Sequence, residues 1–237
     1  MEKGTKPSSN PHLRFENDAT EKLIIYDGFV VKYDTANRVP GYVMHRITPR
    51  QLSDSAGFKA KRSNRFWVDQ LNLDSYSATS GDYRKSGYDR GHHAPAGDFV
   101  YSQSLKDESF VYSNISPQNP KLNRGALVKV ENRIRERVAD CSCVAYVITG
   151  THFEPSKAKS IGTNQVGVPT YIYKIAFYPQ LGQMFGLVLD NTAAEYAKDL
   201  FHFQKSIDAI ELLTGEDFFE KLDDNIESKL EKQVSKF

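Results

Sequence analysis

No apolar run in this 237-residue chain approaches the roughly 18 residues that a membrane-spanning helix needs. The first 15 residues, "MEKGTKPSSNPHLRF", hold basic side chains without an apolar stretch behind them, so no signal peptide is visible. Charge of one sign is also missing. A formal net charge of +1 does not advertise a polyanionic partner for the chain as a whole, and any nucleic-acid surface has to be local. Two cysteines are too few for a thiolate metal site or a disulfide-built scaffold. Cys141 and Cys143 stand one residue apart. In an extended strand that spacing spans about 6.6 Å, the outer edge of a disulfide's reach, so two structural thiols are the simpler expectation and the redox compartment stays open.

What is present is ordinary globular composition: 39% hydrophobic, 26% charged and 12% aromatic residues, compatible with one or two domains. Charge is modestly polarised. Residues 59–92 hold seven basic against four acidic side chains, whereas 216–237 hold seven acids against four lysines.

Residues 1–20 read as an extended lead-in, 21–221 as one domain, and 222–237 as a helical or frayed tail. "LIIYDGFVVKYD" and "GYVMHRIT" read as two β-rich segments with a turn near Asn37–Gly41. The polar stretch 50–87 is a long loop of the kind that carries function or disorder. "FVYSNIS", "CVAYVITGTHF", "TYIYKIAFYP" and "MFGLVLDN" read as strands, and "KSIDAIELLTG" as a helix stopped by Gly215. "NPKLNRGALVKVENRIRERVAD" predicts an amphipathic helix capped by Asn119, with Pro120 at its first position and an apolar stripe at Leu122, Ala126, Val130, Ile134 and Val138, Leu127 alongside. Strands interleaved with few helices predict an α+β fold.

The stretch "GYDRGHHAPAGDF" (87–99) is the unusual one. Gly91 would let the backbone turn sharply between Arg90 and His92, and Pro95 blocks a helix. An imidazole is the natural proton acceptor near neutral pH, and an arginine beside it suits an anionic substrate. Asn123 falls in the first turn of the predicted helix and Glu131 eight residues on. In a regular helix the two would stand about 80° apart around the axis and about 12 Å apart along it. His93 would point away from His92 and is expected to be structural or at the surface. His12, His45, His152 and His202 lack a comparable partner pattern.

A short loop with one histidine, followed by a helix carrying an asparagine oxygen, is the layout of a ββα-metal finger. "DYRKSGYDRGHHAP", "YSNISPQNPKLNRGALVKVE", "VITGTHF" and "VGVPTYIYKI", with "NPHLRF" and "IDAIELLTGEDFF" at either end, resemble the DNA/RNA non-specific endonucleases of the His-Me finger superfamily over roughly residues 10–220. That resemblance implies a mostly antiparallel central sheet flanked by helices and containing the finger. It implies His92 as general base, Asn123 as ligand of a single Mg²⁺ for which Mn²⁺ can substitute, and Glu131 as the acid that holds the ion through a water. Arg90 matches an arginine near the scissile phosphate, and Asn114 a supporting amide. Arg62, four before Phe66, is preferred to Arg65 or Arg84 as the further upstream arginine. Arg124 stands where glutamine is common and Leu127 where tryptophan often sits; Glu16 departs from a glycine-containing version of "NPHLRF". Arg124 would add positive charge for substrate beside the metal ligand.

The implied activity is hydrolysis of DNA and RNA to 5′-phosphate ends, rising with pH through the titration of an imidazole. Free N–H groups at the helix start favour an anion over a bare cation, so metal should bind best with phosphate present. A homodimer and a protein inhibitor are conceivable partners, and a secreted or periplasmic bacterial enzyme is the expected setting. Two alternatives stand beside this reading: a silent member of the fold that binds nucleic acid or protein, and a phosphodiesterase with a small substrate.

Overall fold

The computed structural model describes residues 21–53, 59–192 and 200–234. The expected lead-in, with "NPHLRF", His12 and Glu16, lies outside the described residues.

Seven strands form one sheet: β1 (Glu21–Ile25), β2 (Phe29–Asp34), β3 (Val39–Ile47), and, beyond the finger strands β4 (Asp89–His92) and β5 (Ile115–Gln118), β6 (Ala145–His152). After the small hairpin β7 (Ser160–Ile161) and β8 (Val166–Gly167) come β9 (Tyr171–Tyr178), β10 (Gln183–Asp190) and β11 (Gln204–Lys205). The order is β1-β2-β3-β6-β9-β10-β11, and every pairing in it is antiparallel. The β3–β6 pairing brackets the insertion from 48 to 144, and that insertion carries the finger.

Alternation along the strands places two layers on the sheet. On β9, Ala176 and Tyr178 face the helix Val128–Cys141, packing with Val130, Ile134 and Val138. Tyr173, Ile175 and Phe177 face the opposite side, covered by Ile207, Ile210 and Leu230 of the C-terminal helices Ile207–Thr214 and Asp224–Glu231 and by Phe218 of the segment between them. Strands buried on both faces read as continuous apolar runs, which is why "YIYKIAFY" lacks a period of two. Each of the fully buried valines and isoleucines contributes roughly 2 kcal/mol through area removed from water.

The β-rich segment "LIIYDGFVVKYD" folds as a hairpin: Asp27 and Gly28 form its turn, and their N–H groups donate to Glu108 at 3.2 and 3.0 Å. Local expectations are corrected elsewhere. "FVYSNIS" contributes a strand only from Ile115, because Tyr112–Asn114 form a 3-10 turn whose first N–H donates to the Trp67 carbonyl. Cys141 and Cys143 form a disulfide. Cys141 ends a helix and Ser142 takes a left-handed conformation (φ 50°), so the chain folds back and the Cα atoms approach to 5.1 Å. The tail is helical over Asp224–Glu231, with Leu230 in the core.

Candidate active site

"DRGH" is a regular strand. β4 pairs antiparallel with β5, setting Asp89 opposite Gln118, Gly91 opposite Ser116 and His92 opposite Ile115. Gly91 therefore serves close approach and not a sharp turn: a Cβ built there would lie 2.0 Å from Gln118 Cδ, since the buried Gln118 side chain lies across it. From β5 the chain passes through Asn119 into helical winding at Pro120, as the cap signals predict. Asn191, at the end of β10, holds this corner: its Oδ1 accepts from Asn119 N–H at 2.7 Å, and its Nδ2 donates to the carbonyls of Pro117 and Pro169.

The helix is not regular at its start. Leu122–Leu127 wind as a π-helix before the α-helix Val128–Cys141, and this wider turn lets the adjacent Ala126 and Leu127 both face Ile172 and Leu189. One extra residue in the turn also brings Asn123 and Glu131 nearer to alignment, from about 80° to about 20° around the axis.

His92 is half-buried between rings, with its centroid 4.8 Å from that of Phe110 in an edge-on contact and 5.7 Å from that of Phe66. Its Nε2 is enclosed with no hydrogen-bond partner, which leaves Nδ1 as the ring nitrogen open to the site. Burial, then the charges of Arg62, His93 and Arg90, lower its pKa to about 3. That displaces the imidazole titration below the ordinary range expected from sequence.

The exposed Arg90 lies over Phe66, its guanidinium carbon 4.1 Å from the ring centroid. Arg62 lies over Phe110 at 5.0 Å and donates from Nε to Asn64. Both arginines thus rest on rings that also touch His92. Arg65 instead lines a cavity of about 630 Å³ with Ser63, Trp67, Ser104, Asp107 and Glu108.

Asn123 is half-buried and donates from Nδ2 to Asp89 Oδ2 at 2.9 Å, while its Oδ1 accepts no hydrogen bond among the described residues. Asp89 also takes both Nε and Nη2 of Arg124, at 2.7 and 2.6 Å. Burial pushes the Asp89 carboxyl up, but the hydrogen bonds from Arg124 and Asn123 outweigh it and hold it below the usual range. Arg124 is thereby paired with Asp89, so its charge is not the free addition that the sequence suggested.

Asn114 is fully buried. Its Oδ1 accepts from Ala94 N–H at 2.8 Å, its Nδ2 donates to the carbonyls of Ala94 and Ser109, and its own carbonyl accepts from His93 N–H. Its amide is spent on the backbone just after His92, which fixes where the imidazole sits. His93 is structural as expected, buried, with Nδ1 against the Thr149 carbonyl and Nε2 against Ser116 Oγ.

Behind the finger lies a polar group that sequence reading passed over. Lys174 sits on the helix-facing side of β9, is 2% exposed, donates to Thr149 Oγ1 at 2.6 Å and stands 4.0 Å from Glu131 Oε1. Burial raises the Glu131 carboxyl to about 7, against the pull of Lys174. His45, read as ordinary, pairs at 2.8 Å with the buried Asp98, which also binds Arg135 one turn beyond Glu131. A lone lysine inside "YIYKIAFY" was the available signal, since an unpaired charge there would be costly.

A family model described as DNA/RNA non-specific endonuclease matches residues 7–225. The chain is 32% identical over 211 residues to the mitochondrial endonuclease G of Caenorhabditis elegans, covering 84% of this chain and 68% of that protein. It is 31% identical over 230 residues to nuclease C1 of Cunninghamella echinulata var. echinulata, covering 92% and 90%. Among solved structures, the EndoG/EndoGI complex, described as showing the mechanism of EndoG inhibition, superposes with a TM-score of 0.75 at 30% identity, covering 85% of this chain and 87% of that one.

Proposed function

The chain belongs to the DNA/RNA non-specific endonuclease family, and on that premise we propose that it hydrolyses phosphodiester bonds of DNA and RNA to 5′-phosphate ends, with His92 as general base and Asn123 as ligand of one Mg²⁺. The observation that carries this reading is the pairing of a neutral His92, open at Nδ1, with an Asn123 amide whose Oδ1 is unengaged.

A neutral imidazole can take a proton from the attacking water at Nδ1, and His92 is neutral throughout the physiological range. Arg90 and Arg62, held on Phe66 and Phe110, neutralise the phosphate oxygens in the transition state without having to find their geometry. They contact the backbone and not the bases, so they carry no sequence information.

The Asn123 donor fits a hard cation: Asp89 takes Nδ2 and fixes the amide, so the oxygen is presented outward. Glu131, behind Asn123 on the same helix, suits a contact through water. When bound, Mg²⁺ or Mn²⁺ supplies charge neutralisation at the phosphate and the leaving 3′ oxygen. Asn114, its amide committed to the backbone, acts by holding the strand that carries His92. Arg124 reaches substrate only if it leaves Asp89. An oxidising compartment, secreted or periplasmic, is supported by the Cys141–Cys143 disulfide. The inhibitor complex of the solved relative supports a protein inhibitor as a partner class.

Cleavage of supercoiled plasmid and of single-stranded RNA by the wild type and His92→Ala, each with Mg²⁺ and with EDTA, tests the proposal. Both substrates are degraded by the wild type in Mg²⁺ alone. Cleavage by His92→Ala at near wild-type rate would remove His92 from the reaction. Salt-dependent DNA binding without products in any divalent metal would favour a silent binder.

A further inference from the structure

On the face of the sheet opposite the finger, the helices Ile207–Thr214 and Asp224–Glu231 meet over a shared core of Ile207, Ile210, Phe218 and Leu230. Asp208 and Glu211, three residues apart, share one side of the first helix, and Glu231 ends the second. One oxygen from each of the three carboxylates lies within 4.8 Å of the others. Glu231 is only 7% exposed, and its Oε1 is enclosed without a hydrogen-bond partner. Glu227, one turn earlier, also has an enclosed and unpartnered Oε1. Neither these two nor Asp208 and Glu211 form an ion pair among the described residues. Glu211 and Glu231 lie within hydrogen-bond reach of one another, and two carboxylates that close need either a shared proton or a cation between them.

We propose that Asp208, Glu211 and Glu231 form a binding site for a divalent cation of the Ca²⁺ class, separate from the catalytic centre. The donors are all carboxylate oxygens, with no imidazole or thiolate to favour Zn²⁺ or Cu²⁺. Several carboxylates gathered on one ion are the Ca²⁺ mode, since Mg²⁺ dehydrates reluctantly and keeps most of its waters. Glu211 is already oriented, because its Oε1 accepts from Phe218 N–H at 2.8 Å. A bound cation would clamp the C-terminal helix to the helix Ile207–Thr214 and has no part in phosphodiester chemistry.

Thermal unfolding of the whole chain in EDTA and in Ca²⁺ tests this, in Asn123→Ala to remove the catalytic metal ligand and in Glu231→Gln and Asp208→Asn to remove the proposed one. At a hundredfold excess over Kd, Ca²⁺ raises the midpoint of Asn123→Ala by about 5 °C or more. The shift is lost in Glu231→Gln and in Asp208→Asn, the latter guarding against a folding defect in the former, and both keep wild-type cleavage in Mg²⁺. A Ca²⁺ shift that survives both substitutions overturns the assignment. So does a Glu231→Gln protein that is more stable in EDTA while Ca²⁺ leaves the wild type unmoved, since the carboxylates would then share a proton and no ion.

Discussion

Asn123 Nδ2 donates to Asp89 Oδ2 at 2.9 Å, across the corner between the first strand of the finger and its helix. This one contact decides which end of the amide faces outward. It also ties the proposed metal ligand to the strand that carries Arg90 and His92.

Asp89→Asn removes the charge and leaves one acceptor oxygen where Asn123 and Arg124 now share two, so Asn123 is held less firmly and Arg124 loses its paired contact. The expected outcome is a 10- to 100-fold rise in the Mg²⁺ concentration for half-maximal cleavage, with the circular dichroism spectrum unchanged. A Mg²⁺ titration checks it; an unshifted curve would mean that the amide is held by something other than Asp89.

Gly91→Ala places a methyl group inside the space of Gln118, which is buried and cannot swing clear. Destabilisation of about 1–3 kcal/mol is expected from this overpacking, together with loss of activity as β4 moves. Adding Gln118→Ala should restore much of both. Urea unfolding of the single and double variants reads the coupling, and a double variant no better than the single would point away from Gln118 as the obstacle.

Protonation separates the two neighbouring histidines. His92 has its pKa lowered to about 3, so kcat/KM, which reports the free enzyme, stays level as pH falls through 6.5 and drops only nearer 4. A bound phosphate offsets the positive charge of Arg62 and Arg90, so the acid limb of kcat lies at higher pH than that of kcat/KM. His93 bears on stability. Burial lowers its pKa to about 3, so below pH 6.5 the unfolded chain takes up a proton that the folded one refuses. The contribution is complete above 6.5 and is lost as pH falls towards 3. Measured as the difference in unfolding free energy between the wild type and His93→Gln, it should shrink by about 2 kcal/mol from pH 7 to pH 5. A difference constant over that range would mean that His93 accepts its proton in the folded state.

Local pattern was enough to locate the finger. The Asn119–Pro120 start, the four-residue apolar stripe and the runs that became β6, β9 and β10 are written into neighbouring residues, because capping and periodicity act over one or two turns. The order of His92 and Asn123 in their motifs could be read the same way. What those residues do with their partners could not. Asp89 and Asn123 are 34 residues apart, and Glu131 and Lys174 meet only because the helix lies on the even-numbered side of β9. Arg124 was lost as a free charge to a carboxylate that no spacing rule links to it. The Cys141–Cys143 disulfide rested on a left-handed Ser142, a conformation that residue type alone does not announce. The sequence by itself determined which elements form and which side chains could do chemistry; packing decided which of them meet, because a contact across the core depends on the register and burial of every element between.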